Sequence, residues 1–176
     1  MEAQPKAVQL AHEAADTAKV SFEAFFAAEW ARVVSAVMLL TGSKQEAEDI
    51  AQGAFLRLLE RWDTLDHEAD VEGYLFRTAL NDYRSLYRRM KLTAKRVLAP
   101  GRAETDPFEQ IAERDRAVRM LLALTPRQRE AMVLTGIEGF DYQQAGALLG
   151  VKESTVRSLV AQARARLDKE TDTPDE

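Results

Sequence analysis

The sequence predicts an all-α protein of two small helical domains joined by a flexible linker. Apolar residues recur at three- and four-residue spacing through most of the chain, and no run alternates apolar and polar residues with strand periodicity. The five Pro mostly sit at segment edges. One stretch, Ala99-Pro100-Gly101 through Asp106-Pro107, interrupts the periodicity with turn formers and divides the chain. A length of 176 residues suits two small units, and 46% apolar with 30% charged residues is the balance of a folded chain.

Each element carries its own signal. In the first helix, Phe22, Phe25, Phe26, Trp30, Val33, Val34, Val37 and Met38 repeat at helical spacing, and Thr41-Gly42 ends it. Ser43 starts the second, with Glu46 three residues on as a capping box. Its apolar stripe is Ile50, Ala54, Phe55, Leu58, Leu59 and Trp62, and Glu46, Glu48 and Asp49 crowd the first turns, where the helix dipole favours acids. Asp63 to Glu72 is polar and reads as a loop. A long third helix follows from about Val71 to Val97, with Tyr74, Leu75, Thr78, Ala79, Tyr83, Leu86 and Met90 on its apolar stripe. The second unit begins near Phe108, and Leu121, Leu122 and Leu124 close its first helix. Thr125-Pro126-Arg127-Gln128 is a helix start: Thr as N-cap, Pro at the first position, Gln completing the box. That helix ends near Gly136 to Gly139. Asp141 caps a short helix, Tyr142 to Leu149; Gly150 makes the turn; a last helix runs from Glu153 or Ser154 to Lys169.

Composition excludes several kinds of chemistry. There is no Cys, and the two His, His12 and His67, are far apart, so thiolate chemistry, a His-based zinc site and a catalytic triad have no residues to build them. No catalytic residue, metal, cofactor or small-molecule substrate is expected. The N-terminus lacks the basic start and long apolar core of a secretion signal. The apolar run Trp30 to Leu40 is too short to cross a bilayer and contains Arg32. These readings predict a cytoplasmic protein without membrane insertion. The net charge is −5, yet it is unevenly spread. Thr41 to Val71 holds three Lys/Arg against eight Asp/Glu; Glu72 to Arg102 holds eight against two; Lys152 to Lys169 holds five against two. Phosphate attraction depends on the local face, so an acidic total is compatible with nucleic-acid binding.

Three constellations stand out. Tyr142 to Leu167 has the pattern of a helix-turn-helix: two helices, a Gly150 turn, and small Ala145, Gly146 and Ala147 that permit close crossing. Val151, Val156 and Val160 would face inward, leaving Lys152, Arg157, Ser158, Ala161, Gln162 and Arg164 toward a major groove and its phosphates. A plain helical hairpin with a solvated basic face fits the same pattern. In the third helix, Tyr74, Phe76, Tyr83 and Tyr87 alternate with Arg77, Arg84, Arg88 and Arg89. Aromatic faces stack on unpaired bases while Arg holds the backbone; equally, the aromatics are core and the cations surface. Glu46 to Phe55, taken alone, is a capped amphipathic helix, with no nucleophile or metal partner nearby for acid–base chemistry.

In this order the three segments resemble the sigma-70 family, specifically its compact extracytoplasmic-function (ECF) group. The family's region 2 pattern AEDxxQxxFLR stands here as Ala47-Glu48-Asp49-Ile50-Ala51-Gln52-Gly53-Ala54-Phe55-Leu56-Arg57, followed by Tyr74-Leu75-Phe76-Arg77-Thr78-Ala79-Leu80-Asn81 and the basic pair Arg88-Arg89. The region 4 pattern LxxRQRE stands as Leu124 to Glu130, followed by Glu138-Gly139-Phe140-Asp141-Tyr142, Leu149-Gly150-Val151, Thr155-Val156-Arg157-Ser158 and Ala163-Arg164-Ala165-Arg166-Leu167. The resemblance covers roughly Phe22 to Lys169. It implies an N-terminal extension (1–19), region 2 (20–97), a linker (98–112), region 4 (113–170) and an acidic tail (171–176).

The resemblance also implies roles. Glu48, Asp49, Gln52 and Phe55 would dock core RNA polymerase. Tyr74, Arg77 and Asn81, with the Thr64 to Val71 loop, would take up the melted −10 strand, and Arg84, Arg88 and Arg89 its backbone. Lys152, Thr155, Arg157, Ser158, Ala161, Gln162 and Arg164 would read the −35 element. An anti-sigma protein is a further expected partner. The sequence departs from the family pattern at Tyr74 (usually Trp), Ser85 (usually Asp), Lys152 (often Ser), and Leu159 and Gln162 (often Arg). The last two thin the cations of the reading helix, and an exposed Leu159 would suit a thymine methyl or a protein partner. Two other readings remain open at this level: a sigma-like decoy that binds an anti-sigma protein, and a helix-turn-helix repressor.

Overall fold

The computed structural model describes the backbone of residues 5–65, 71–97 and 116–171, with side chains from 22–65, 71–92 and 117–169. Every regular element among them is helical: α1 (Pro5–Thr41), α2 (Lys44–Arg61) running into a 3₁₀ turn (Trp62–Thr64), α3 (Val71–Val97), α4 (Arg116–Leu122), α5 (Pro126–Met132) running into a π-turn (Val133–Ile137), α6 (Tyr142–Leu149) and α7 (Glu153–Thr171). The expected linker and acidic tail lie almost wholly outside the described residues.

The helix boundaries follow from their caps. Gly42 adopts φ 74°, which ends α1. Ser43 Oγ accepts from the Glu46 amide at 3.4 Å, so the N-cap of α2 forms. The reciprocal half of the expected capping box does not: Thr41 Oγ1 already takes the Ser43 amide at 3.2 Å, and Glu46 Oε2 is buried without a partner. Thr125 with Gln128, and Asp141 with Gln144, make complete capping boxes at the starts of α5 and α6. Gly150, at φ 69°, closes α6 in the left-handed region.

Helices α1, α2 and α3 form one bundle. Phe25, Phe26, Trp30 and Phe55 interlock with ring centroids 4.9 to 6.4 Å apart, and Phe22 meets Trp62 edge-on at 5.1 Å. Leu75, Ala79 and Tyr83 of α3 are buried as their spacing predicts. Phe76 and Leu80, off that stripe, are buried as well; Phe76 is covered by the C-terminal half, where Phe140 meets it edge-on at 5.2 Å. Helices α4 to α7 form the second unit, in which Val156, Val160 and Ala163 of α7 face inward. The segment Phe22–Thr41 of α1 is 20 residues long with mean hydropathy 1.5, longer than the run read from sequence and sufficient by length and composition to span a membrane. Here it is a core helix, with Val33, Ala36, Val37 and Leu40 buried against its neighbours.

Candidate nucleic-acid interface

The α6–turn–α7 unit depends on close approach of its two helices. A Cβ on Gly146 would lie 2.8 Å from the Val151 carbonyl oxygen, so only Gly fits there. With Val156 and Val160 anchored inside, Lys152, Thr155, Arg157, Ser158, Ala161, Gln162 and Arg164 are all exposed along the opposite side of α7. Arg157 is held twice over. Its Nη2 donates to Glu153 Oε1 at 2.6 Å, and its guanidinium lies 4.9 Å from the centre of the Tyr142 ring. Gln162 Oε1 accepts from Gln128 Nε2 at 3.3 Å, and Ser158 Oγ donates to the Ser154 carbonyl at 3.0 Å. Leu159 is not the exposed contact expected of it: it is half-buried and packs on the core of its own unit.

On α3, Tyr74, Arg77, Asn81 and Arg88 recur at three-, four- and seven-residue spacing and so share one side of the helix. Arg77, Asn81, Arg88 and Arg89 are exposed; Tyr74 is half-buried, with the Arg61 guanidinium 5.9 Å from its ring centre. Arg84 stands apart from this group. Its Nε and Nη2 donate to the two carboxylate oxygens of Glu130 at 2.9 and 2.8 Å, and this pairing holds its proton more tightly than usual. In this conformation the cation is occupied by the other half of the chain.

The acidic side of α2 is partly as expected. Asp49 and Gln52 are exposed, and Glu48 is half-exposed with Lys44 Nζ 3.7 Å away. Phe55 differs: at 2% exposure it is a core residue, because the rings of α1 close over it. It forms part of the floor of an apolar groove of about 370 Å³ with Phe22, Phe26, Trp30, Gln52, Leu56 and Leu59. The apolar side chains that a partner would meet are Leu56, Leu59 and Phe26, all exposed. Leu59 falls on the apolar stripe that helical spacing predicts to be buried, yet it is exposed, as is Leu56. Their only signal was an excess of apolar residues on α2 beyond what one buried face requires. A second hollow between α2 and α3 mixes polar Glu46, Asp49, Asp82, Ser85 and Arg89 with apolar Ile50 and Leu86, and Arg57 pairs with Asp82 near it. Burial, with Asp49 adding to it, holds the Glu46 carboxyl above its usual range.

Known proteins supply the frame for this geometry. Residues 25–93 match the family described as Sigma-70 region 2, and residues 114–167 match Sigma-70, region 4. The RNA polymerase sigma-E factor of Streptomyces avermitilis is 31% identical over 131 residues, covering 74% of this chain and 73% of its own. The ECF RNA polymerase sigma factor EcfG of Rhodopseudomonas palustris is 31% identical over 138 residues, covering 73% and 72%. Among solved structures, CnrH in complex with the cytosolic domain of CnrY superposes with a TM-score of 0.69 at 25% identity, covering 93% of this chain and 97% of that one. The Bartonella quintana sigma factor RpoE, solved with the anti-sigma factor NepR, has the same fold, with a TM-score of 0.69 at 22% identity over 87% of this chain and 99% of its own. With both regions present in order, each on its own helical unit, the chain belongs to the sigma-70 family, in its ECF group.

Proposed function

We propose that this protein is an ECF-type sigma factor that directs core RNA polymerase to promoters by binding −35 duplex through α7 and melted −10 DNA through α3. The observation that carries this reading is the pairing, in one chain, of two unlike exposed faces. One is a helix-turn-helix face with Lys152, Arg157 and Arg164 beside Ser158 and Gln162. That mixture suits a duplex groove, where cations hold phosphates and short polar groups read base edges. The other is an Arg-rich face with Tyr74 and Asn81, which suits single-strand capture: an aromatic ring offers a stacking surface, and an amide can both donate and accept.

Asp49, Gln52 and the apolar groove beside Phe55 are the docking surface for the polymerase in this reading, with Leu56 and Leu59 as its apolar contacts. The protein's own role is non-catalytic, needs no cofactor, and belongs in the cytoplasm, where the polymerase works. Because RpoE was solved with the anti-sigma factor NepR, an anti-sigma protein is the proposed regulatory partner here as well. Run-off transcription with sigma-free core polymerase, this protein and a pool of genomic promoter fragments tests the proposal. Discrete, protein-dependent transcripts are expected. Their absence, with polymerase binding retained, would replace this reading with that of a decoy. Salt-sensitive binding to promoter duplex without polymerase, again with no transcript, would point to a repressor.

A further inference from the structure

Helix α5 packs against α7, and the contact carries a pair of glutamines. Gln128 of α5 is half-buried, and both ends of its side-chain amide are in use. Its Oε1 accepts from the Thr125 amide at 3.1 Å, the return half of the capping box that starts α5. Its Nε2 donates to Gln162 Oε1 of α7 at 3.3 Å. Chemistry fixes the order of these two bonds. A backbone amide only donates, so the Gln128 atom facing Thr125 is the oxygen, and the one facing Gln162 is the NH2 group. That NH2 group needs an acceptor, so Gln162 turns its oxygen toward α5 and its own NH2 group away from it. Gln162 is exposed one helical turn from Ser158, away from the buried Val156 and Val160.

We infer that Gln128 sets the polarity with which Gln162 meets a base, so that the chain selects guanine or thymine at one position of the −35 element; this rests on the reading of α7 as the −35 helix. In the major groove guanine offers O6 and N7 and thymine offers O4, all acceptors, whereas cytosine offers only its amino donor. Adenine offers N7 beside an amino donor, and is matched in full only by an amide that turns both its oxygen and its NH2 group to the base. The oxygen of Gln162 is drawn toward Gln128, so adenine gains one bond of the two. A Gln162 free to rotate would present either end and discriminate little. Held by Gln128, it acts as a donor without charge, and so adds base preference but nothing to the salt dependence of binding. Gln128 itself touches no base in this arrangement: it is a positioning residue, linked through the start of α5 to a contact made by α7.

Full-length wild type, Gln128→Glu, Gln128→Ala and Gln162→Ala are compared on a duplex library of random sequence, as free chains and bound to core polymerase, and the enriched sequences are read. Gln128→Glu keeps the cap, because Glu closes the box as Gln does. Its second oxygen only accepts, so Gln162 has to turn its NH2 group inward and present its oxygen to the base. Wild type should favour guanine or thymine at one position by about tenfold, the scale of a single direct base contact. Gln128→Glu should move that position alone to cytosine or adenine, whose amino groups donate. Gln128→Ala frees the amide and should flatten the same position, as should Gln162→Ala. The carboxylate introduced by Gln128→Glu repels phosphate alike for every sequence, so base preference rather than affinity is the readout. An unmoved preference in both Gln128 variants would overturn the inference. So would a Gln162→Ala profile identical to wild type, or no enrichment by wild type in either form. A switch of base in the free chain with no run-off transcript supports the inference and overturns the sigma-factor reading alone. Protein-dependent transcripts with an unmoved base overturn the inference alone.

Discussion

At Gly146, the Val151 carbonyl occupies the space a Cβ would need, and that carbonyl belongs to the turn that sets α7 against α6. Because the obstacle is backbone, relief requires moving the turn. Gly146→Ala should cost about 1–3 kcal/mol, the usual penalty for overpacking, and lower promoter binding with it; urea unfolding of the two proteins measures this. Glu46 poses a different residue-scale question. Burial and Asp49 raise its pKa in the folded state, so folding disfavours its ionised form. Stability from this group is lowest above the raised pKa and is recovered as pH falls toward the ordinary value of 4.5. Glu46→Gln removes that dependence. Its stability advantage over wild type should be largest near pH 7 and shrink on acidification toward pH 4.5. Denaturant midpoints at both ends of that range check the sign, and a constant difference would contradict it.

Among the elements, α3 serves two masters. Leu75, Ala79 and Tyr83 hold it in the first bundle, Phe76 holds it against Phe140 of the second half, and the remaining side carries Arg77, Asn81 and Arg88 into solvent. Asn81 makes no core contact that its removal would damage, so Asn81→Ala should leave the melting temperature and polymerase binding near wild type. It should reduce open-complex yield, which permanganate footprinting of the melted strand reads directly; equal yields would remove Asn81 from the −10 site. On α7, Arg157 is braced by Glu153 and the Tyr142 ring before any DNA arrives. Arg157→Ala should therefore weaken binding to a −35 duplex by roughly 1–3 kcal/mol and relax preference at one base pair, as loss of a bidentate guanine contact does. A uniform loss across sequences would make it a phosphate contact instead. The two departures from the family on this helix have separate fates: Gln162 stays exposed beside Gln128, while Leu159 is half-buried against the core.

For the whole molecule, acidic and basic groups meet along the α2–α3 boundary, where Asp49 and Arg89 line one hollow, while Asp49 itself stays exposed to a partner. Asp49→Arg should weaken co-purification with core polymerase several-fold while leaving −35 duplex binding by the free protein unchanged. Loss of both would mean that the substitution unfolds the chain.

Helix positions, caps and the helix-turn-helix were legible in the sequence because each is a local contest. Periodicity, a Ser, Thr or Asp before a helix, and a Gly after one act within a few residues, as Thr125 with Gln128 and Asp141 with Gln144 bear out. The family was legible for a related reason, since its motifs preserve order and spacing along the chain. Which faces are free was not legible. Phe55 goes to the core because α1 folds over it, Phe76 is covered by Phe140 of the second half of the chain, and Arg84 is taken by Glu130, 46 residues away. Burial of this kind depends on what arrives from elsewhere in the chain. The amino-acid sequence by itself determined the helices and the chemistry they carry; tertiary packing alone decided which of those groups face solvent and which are held by the rest of the protein.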